Sequence, residues 1–192
     1  MRKLILASTS ARRRELMKKL GVPFTVAASR FNERSVRAAN PHSLVAAISK
    51  GKARAVAKKH KNAIVIGADT IVVRGTTVFG KPRSTREALA MLRALNGKVH
   101  TVLTAFTVVD AHRKREVTKV IATKVYFRKA TERELRAYVA TGEPLDKAGA
   151  YALQGYGALL IRKIEGDFWG AVGLPVAALS EELLSFGVRT II

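Results

Sequence analysis

Strand-length apolar runs alternate with helix-length amphipathic stretches along the whole chain, and this alternation restricts the fold more than any other feature. Residues 3–7 read as a strand and 11–20 as a helix, closed by Gly21 and Pro23. A second strand is expected at 24–28, a polar loop at 30–40 and a long helix at 43–59. The run 63–68 reads as a buried strand that ends at Asp69-Thr70. Residues 71–74 and 77–79 then form a hairpin around Gly75. A helix at 85–95, capped by Ser84 or Thr85, ends at Gly97. Strands at 100–110 and 116–128 pair through a polar turn. Thr131-Glu132-Arg133-Glu134 is a capping box opening a helix to about residue 140. A glycine-rich loop at 142–157, a strand at 158–164, a loop at 166–173 and a helix from Pro175 to Phe186 complete the chain.

That pattern predicts an α/β fold with a mixed, twisted sheet flanked by helices. With 192 residues, 48% of them apolar, the chain suits a single domain, 1–192. There is no cysteine, which excludes disulfides, a thiolate nucleophile and cysteine-ligated zinc and suits a reducing cytoplasm. Arg2 and Lys3 precede an apolar run, 4–7, that is too short for the core of a signal peptide. No segment reaches the roughly 20 apolar residues of a membrane span. Thirty-five Lys and Arg against 14 Asp and Glu give a net charge of +21, a field that attracts polyanions. The basic residues are spread along the chain and aromatics are few, so the charge implies an anionic ligand without selecting one.

The sharpest local anomaly is Arg12-Arg13-Arg14 in the first turn of the first helix, where backbone N–H groups already carry partial positive charge. An anion at that turn resolves the conflict, with Ser8 and Ser10 adding hydroxyl donors. The plainer alternative is a solvated basic face. Gly75 to Lys81 matches G-x-x-x-x-G-K, but Pro82 stands where a phosphate loop needs Ser or Thr, so a P-loop is rejected. Asp69, at the end of an apolar strand, suits a hard cation or the activation of water; an Asp-Thr turn is its structural alternative. Glu33 among Arg30, Arg34 and Arg37 reads on its own as a surface ion pair, and Lys52 as one helix lysine of several. The four histidines lack zinc-hydrolase spacing, and there is no nucleophile elbow. Gln154, within Gly149–Gly157, has the paired donor and acceptor to read a base, or else sits in a flexible loop. Trp169 is either a lid or a core anchor.

In order along the chain, these signals resemble the Maf family of nucleotide pyrophosphatases, whose fold is similar to that of inosine triphosphate pyrophosphatases. The resemblance rests on residues 6–17, Glu33, Lys50-Gly51-Lys52-Ala53, Gly67-Ala68-Asp69-Thr70, Gly80-Lys81-Pro82, residues 147–155 and Val172-Gly173-Leu174-Pro175. It implies two lobes around a central cleft. It also implies hydrolysis of a nucleoside triphosphate to monophosphate and pyrophosphate by metal-assisted attack of water at the α-phosphorus. By this match Ser8, Arg12, Arg13, Lys52 and Lys81 hold the phosphates, and Glu33 and Asp69 hold Mg²⁺ or Mn²⁺. Asp69 is also the general base.

Arg12, Thr70 and Gln154 look like the branch acting on dTTP and UTP, with modified pyrimidine nucleotides as further substrates. The branch acting on 7-methyl-GTP typically carries an aromatic at the Arg12 position and an acid at the Gln154 position, and neither is present. This chain departs from the family pattern at Ala11, where proline is commoner, and around Trp169-Gly170. Turnover of 7-methyl-GTP or another noncanonical nucleotide is the alternative substrate reading. A non-enzymatic nucleic-acid binder is the alternative class; charge alone supports it, and it gives Glu33 and Asp69 no role. A homodimer is left open.

Overall fold

A computed structural model describes residues 2–192. The elements in chain order are β1 (Lys3–Leu6), α1 (Ala11–Lys18), β2 (Thr25–Val26), α2 (Pro41–Ala57), β3 (Ala63–Arg74) and β4 (Thr77–Phe79). There follow α3 (Thr85–Leu95), β5 (Val99–Asp110), β6 (Arg115–Phe127), α4 (Glu132–Ala140), β7 (Ile161–Glu165), α5 (Phe168–Val172) and α6 (Val176–Ser185). The strands form a mixed sheet in the order β2-β1-β3-β5-β6-β7, with β4 paired to β3 off that path. The α/β class expected from the alternation is the class observed.

The chain falls into two compact units. One comprises the chain up to Asp69 together with Thr104–Ile121 and Gly173–Ile192; the other comprises Thr70–Leu103 and Ala122–Val172. In the first, β1 pairs parallel with both β2 and β3, with Ile5 opposite Thr25 on one side and Val65 on the other. Parallel neighbours need crossovers, and α1 and α2 supply them. Helix α1 begins at Ser10, whose hydroxyl accepts the Arg13 N–H, and α2 begins at Asn40, whose side chain accepts the Ser43 N–H at 2.8 Å. Pro41 takes the first helical position, where its missing N–H costs nothing. The core of this unit gathers Ile5, Ala53, Val56, Val65 and Val109. Gly67 governs the packing of α2 on β3. A Cβ there would lie 2.5 Å from the Ser49 carbonyl and 2.6 Å from the Ala53 nitrogen, so only glycine allows this approach.

In the second unit, Val72, Phe79, Leu92, Phe127, Leu135 and Tyr151 share a core. Antiparallel pairing sets Val72 opposite Phe79 and Arg74 opposite Thr77, so the G-x-x-x-x-G-K match begins in the hairpin expected around Gly75. The Thr131–Glu134 capping box forms as expected.

Three expectations are corrected. Strand β3 does not end at Asp69 but runs on to Arg74, because a partner for the carboxylate removes the cost of burying it mid-strand. The stretch 142–157, expected as a glycine-rich loop, carries 3-10 turns at Glu143–Asp146 and Ala148–Ala150, with a third at Tyr156–Leu160, and 151–155 is irregular between the last two. The stretch 166–173 contains a helix, α5, because Asp167 accepts the Gly170 N–H at 2.8 Å and acts as its cap. Trp169, in that helix, is half-buried and meets Phe168 edge-on.

Candidate active site

The first unit concentrates its unusual chemistry where β1 ends. Beyond Leu6 the chain turns through buried Ser8, whose hydroxyl accepts the Ser10 N–H at 3.3 Å and an Arg13 N–H at 3.5 Å. Ser10 then caps α1, so the arginine-rich first turn is held by two serines. The Arg13 guanidinium also donates through Nε to the Gly173 carbonyl at 3.0 Å. Burial lowers its pKa below the ordinary arginine value; the Asp69 and Glu33 carboxylates oppose this, and Arg12 adds to it. Arg12 is half-buried and makes no ion pair among the described residues.

The second feature is a carboxylate–ammonium–carboxylate cluster. Lys52 Nζ donates to Asp69 Oδ1 at 2.7 Å and lies 2.8 Å from Glu33 Oε1. Asp69 and Lys52 are buried, whereas the Glu33 side chain is half-exposed. Glu33 opens a short 3-10 turn, Lys52 projects from α2 and Asp69 sits within β3. The close approach at Gly67 is what brings the lysine's helix down onto the aspartate's strand. Glu33 does form an ion pair at the surface, but with Lys52 rather than with the neighbouring arginines, and Lys52 is the buried member that joins it to Asp69. On the same helix as Lys52, buried Ser49 bonds to buried Thr107 at 2.5 Å, and Thr107 to half-buried Thr118 at 2.9 Å.

The second unit holds the other sequence candidates. Lys81 is exposed beside buried Pro82, just beyond β4. The Gly149 N–H donates to the Gly80 carbonyl at 3.0 Å, tying the Lys81 turn to the segment that leads to Gln154. Gln154 is exposed, and Thr70 is half-buried in β3. Sequence reasoning missed two residues here, Tyr138 and Glu143. Glu143 accepts the Tyr138 hydroxyl at 2.8 Å, the Gly157 N–H at 2.9 Å and the Tyr156 N–H at 3.0 Å. The only local signal was an acid between Gly142 and Pro144 just after a helix end. His100 is also buried, donating to or accepting from the Tyr151 hydroxyl at 2.7 Å. Burial, with Arg74 adding to it, lowers the His100 pKa to about 4.

Parallel strands joined by helices, a serine-capped helix N-terminus rich in arginine and a lysine shared by two carboxylates define the class: an α/β protein with a mixed-charge site at a strand end. Sequence comparison gives the particular family. The chain belongs to the Maf family: the family model described as "Maf-like protein" matches residues 3–186. It is similar to the dTTP/UTP pyrophosphatase of Moorella thermoacetica, with 51% identity over 98% of this chain and 97% of that protein. It is likewise similar to the dTTP/UTP pyrophosphatase of Thermoanaerobacter pseudethanolicus, at 48% identity over 97% of this chain and 98% of that one. The dTTP/UTP pyrophosphatase of Desulfotalea psychrophila is 44% identical over 98% of this chain and 96% of its own length. No helix among the described residues is long and apolar enough to cross a membrane.

Proposed function

We propose that this protein is a nucleoside triphosphate pyrophosphatase that converts dTTP and UTP to the monophosphate and pyrophosphate. The observation that carries the reading is the Lys52 ammonium held between Asp69 and Glu33, beside the capped turn that bears Arg13. The names of the similar proteins support the substrate class.

In this reading Ser8, Arg12, Arg13, Lys52 and Lys81 bind and orient the triphosphate. Lys52 exchanges part of its carboxylate pairing for phosphate oxygens. Asp69 then accepts the proton of a water aligned on the α-phosphorus, opposite the leaving pyrophosphate. The new P–O bond forms as the α–β bridging bond breaks, and pyrophosphate leaves with its electron pair. Arg13 and Lys52 offset the charge that accumulates. The oxygen donors of Glu33 and Asp69 fit a hard divalent cation, Mg²⁺ or Mn²⁺. Among the described residues no group of three or more such side chains converges, so substrate phosphates and water would complete the shell. When bound, such a cation neutralises phosphate charge and favours departure of pyrophosphate. Arg12, Thr70 and Gln154 select the base, the Gln154 amide offering a donor and an acceptor to a pyrimidine edge.

A turnover panel tests this: dTTP, UTP, CTP, 7-methyl-GTP, ITP and the purine triphosphates, each with Mg²⁺ or Mn²⁺. Monophosphate and pyrophosphate from dTTP and UTP are the expected products. The same products from a different nucleotide keep the reaction and overturn the base assignment; no turnover at all overturns both. Gln154→Glu is expected to weaken pyrimidine turnover selectively, and an unchanged profile removes Gln154 from base selection.

A further inference from the structure

The backbone around Gln154 is held from both sides by a single pair of side chains. On its N-terminal side, the Ala152 N–H donates to the Tyr138 hydroxyl at 3.1 Å. On its C-terminal side, the Tyr156 and Gly157 N–H groups donate to the Glu143 carboxylate at 3.0 and 2.9 Å. The two holds are one unit, because the Tyr138 hydroxyl itself donates to Glu143 Oε1 at 2.8 Å. The chain delivers Glu143 to this position at the end of α4: Gly142 turns with φ +77°, and the Thr141 hydroxyl accepts the Glu143 N–H at 3.2 Å.

The fit leaves no slack. Gly155 has φ +124° and ψ −159°, a region closed to other residues, and a Cβ there would lie 2.2 Å from Glu143 Oε2. A Cβ on Gly157 would lie 2.7 Å from the Tyr138 hydroxyl. Three hydrogen bonds to the charged form hold the Glu143 pKa below the ordinary glutamate value against the opposing effect of burial. A half-buried carboxylate that spends its acceptors on two consecutive amides of a glycine turn fixes backbone conformation. Gln154, the exposed residue immediately before that turn, projects from the fixed backbone.

We propose that Glu143 is a positioning residue for base selection: through Tyr138 and the 155–157 turn it sets the direction of the Gln154 amide. This rests on the assignment of Gln154 to base reading given under Proposed function. A side-chain amide has two donors and two acceptors that lie well for only one edge, so a turn free to rotate loses selectivity before it loses catalysis.

The test is Glu143→Gln in the full-length chain, with Tyr138→Phe as a milder variant and Gln154→Ala as the reference. A glutamine at 143 turns one acceptor into a donor facing a backbone N–H. The ratio of kcat/KM for dTTP over dGTP should fall about tenfold, through KM, with kcat for dTTP within about threefold of the parent. Hydrogen exchange at the Tyr156 and Gly157 amides should rise about tenfold in Glu143→Gln and stay unchanged in Gln154→Ala. Tyr138→Phe should move selectivity and exchange in the same direction by a smaller factor, and it keeps the test available if Glu143→Gln does not fold. If Gln154→Ala alters selectivity while the clamp variants speed exchange and leave selectivity intact, the positioning role is wrong and the base assignment stands. If Gln154→Ala leaves selectivity intact, both fall.

Discussion

Two carboxylates of this protein, buried Asp69 and half-buried Glu143, are satisfied in opposite ways. Asp69 is paired with Lys52, a long, flexible ammonium that also serves Glu33. Glu143 is paired with two backbone amides and a tyrosine hydroxyl. An ammonium on a four-carbon stem can trade one anion for another with little rearrangement of the fold. A backbone N–H cannot leave without unfolding its turn. The first arrangement suits a site where charge enters and departs with substrate, the second a scaffold that must keep its shape. The surroundings differ accordingly. Around Asp69 stand Arg13, Lys52 and Glu33; around the Glu143 carboxylate stand the Tyr138 hydroxyl and two backbone amides, with Lys147 as the charged neighbour.

The largest expected effect breaks the first arrangement. Lys52→Met removes the ammonium hydrogen-bonded to buried Asp69 and should cost about 3–5 kcal/mol of stability in urea unfolding. The double variant Lys52→Met, Asp69→Asn should recover most of that loss. A cost below about 1 kcal/mol for the single variant would mean that the pair contributes little.

Next comes the neutral side of the comparison. The unfolded His100 imidazole takes up a proton near its ordinary value of 6.5, whereas the folded one resists until about 4. Between those values the unfolded state binds more protons, so stability is full above about pH 6.5 and falls as the pH drops towards 4. The loss attributable to His100 should approach about 3 kcal/mol at pH 4. His100→Gln should flatten that slope, and equal slopes in parent and variant would remove His100 as its source.

Asp69→Asn keeps size and fold and removes the proton acceptor. Production of monophosphate and pyrophosphate should drop by at least about 10²-fold at a temperature where the variant is still folded, Glu33 remaining to pair the Lys52 ammonium. A near-parental rate would end the general-base assignment.

The smallest expected effect sharpens the scaffold side. Gly155→Ala forces a Cβ against Glu143 at a φ of +124° and should cost about 2 kcal/mol in urea unfolding. A neutral result would show that the turn is more compliant than its geometry implies.

Local signals in the chain read through well. Ser84 and Thr131 cap their helices, the β4 hairpin forms around Gly75, and Pro82 rules out a phosphate loop. Each of these is decided by residues within a few positions of one another. What reads poorly depends on a distant partner. The polar pair Asp69-Thr70 looked like a strand terminus because its compensating lysine comes from a helix 17 positions away in the chain. Residues 142–157 read only as a glycine-rich loop because glycine content reports backbone freedom but not the carboxylate that accepts two of its amides. Asp167 was passed over as a cap because the helix it opens spans only five residues.

The sequence by itself therefore determined the α/β alternation, the presence of α1 to α4 and α6 and, through motif order, membership of the Maf family. Only the tertiary structure decided that Glu33, Lys52 and Asp69 form one cluster and that Tyr138 and Glu143 hold the turn after Gln154. The physical reason is range. Capping and periodicity are short-range preferences carried by the residues that express them. Pairing of buried charges arises from long-range packing, here the contact of α2 with β3 that Gly67 permits, and no single segment of the chain encodes it.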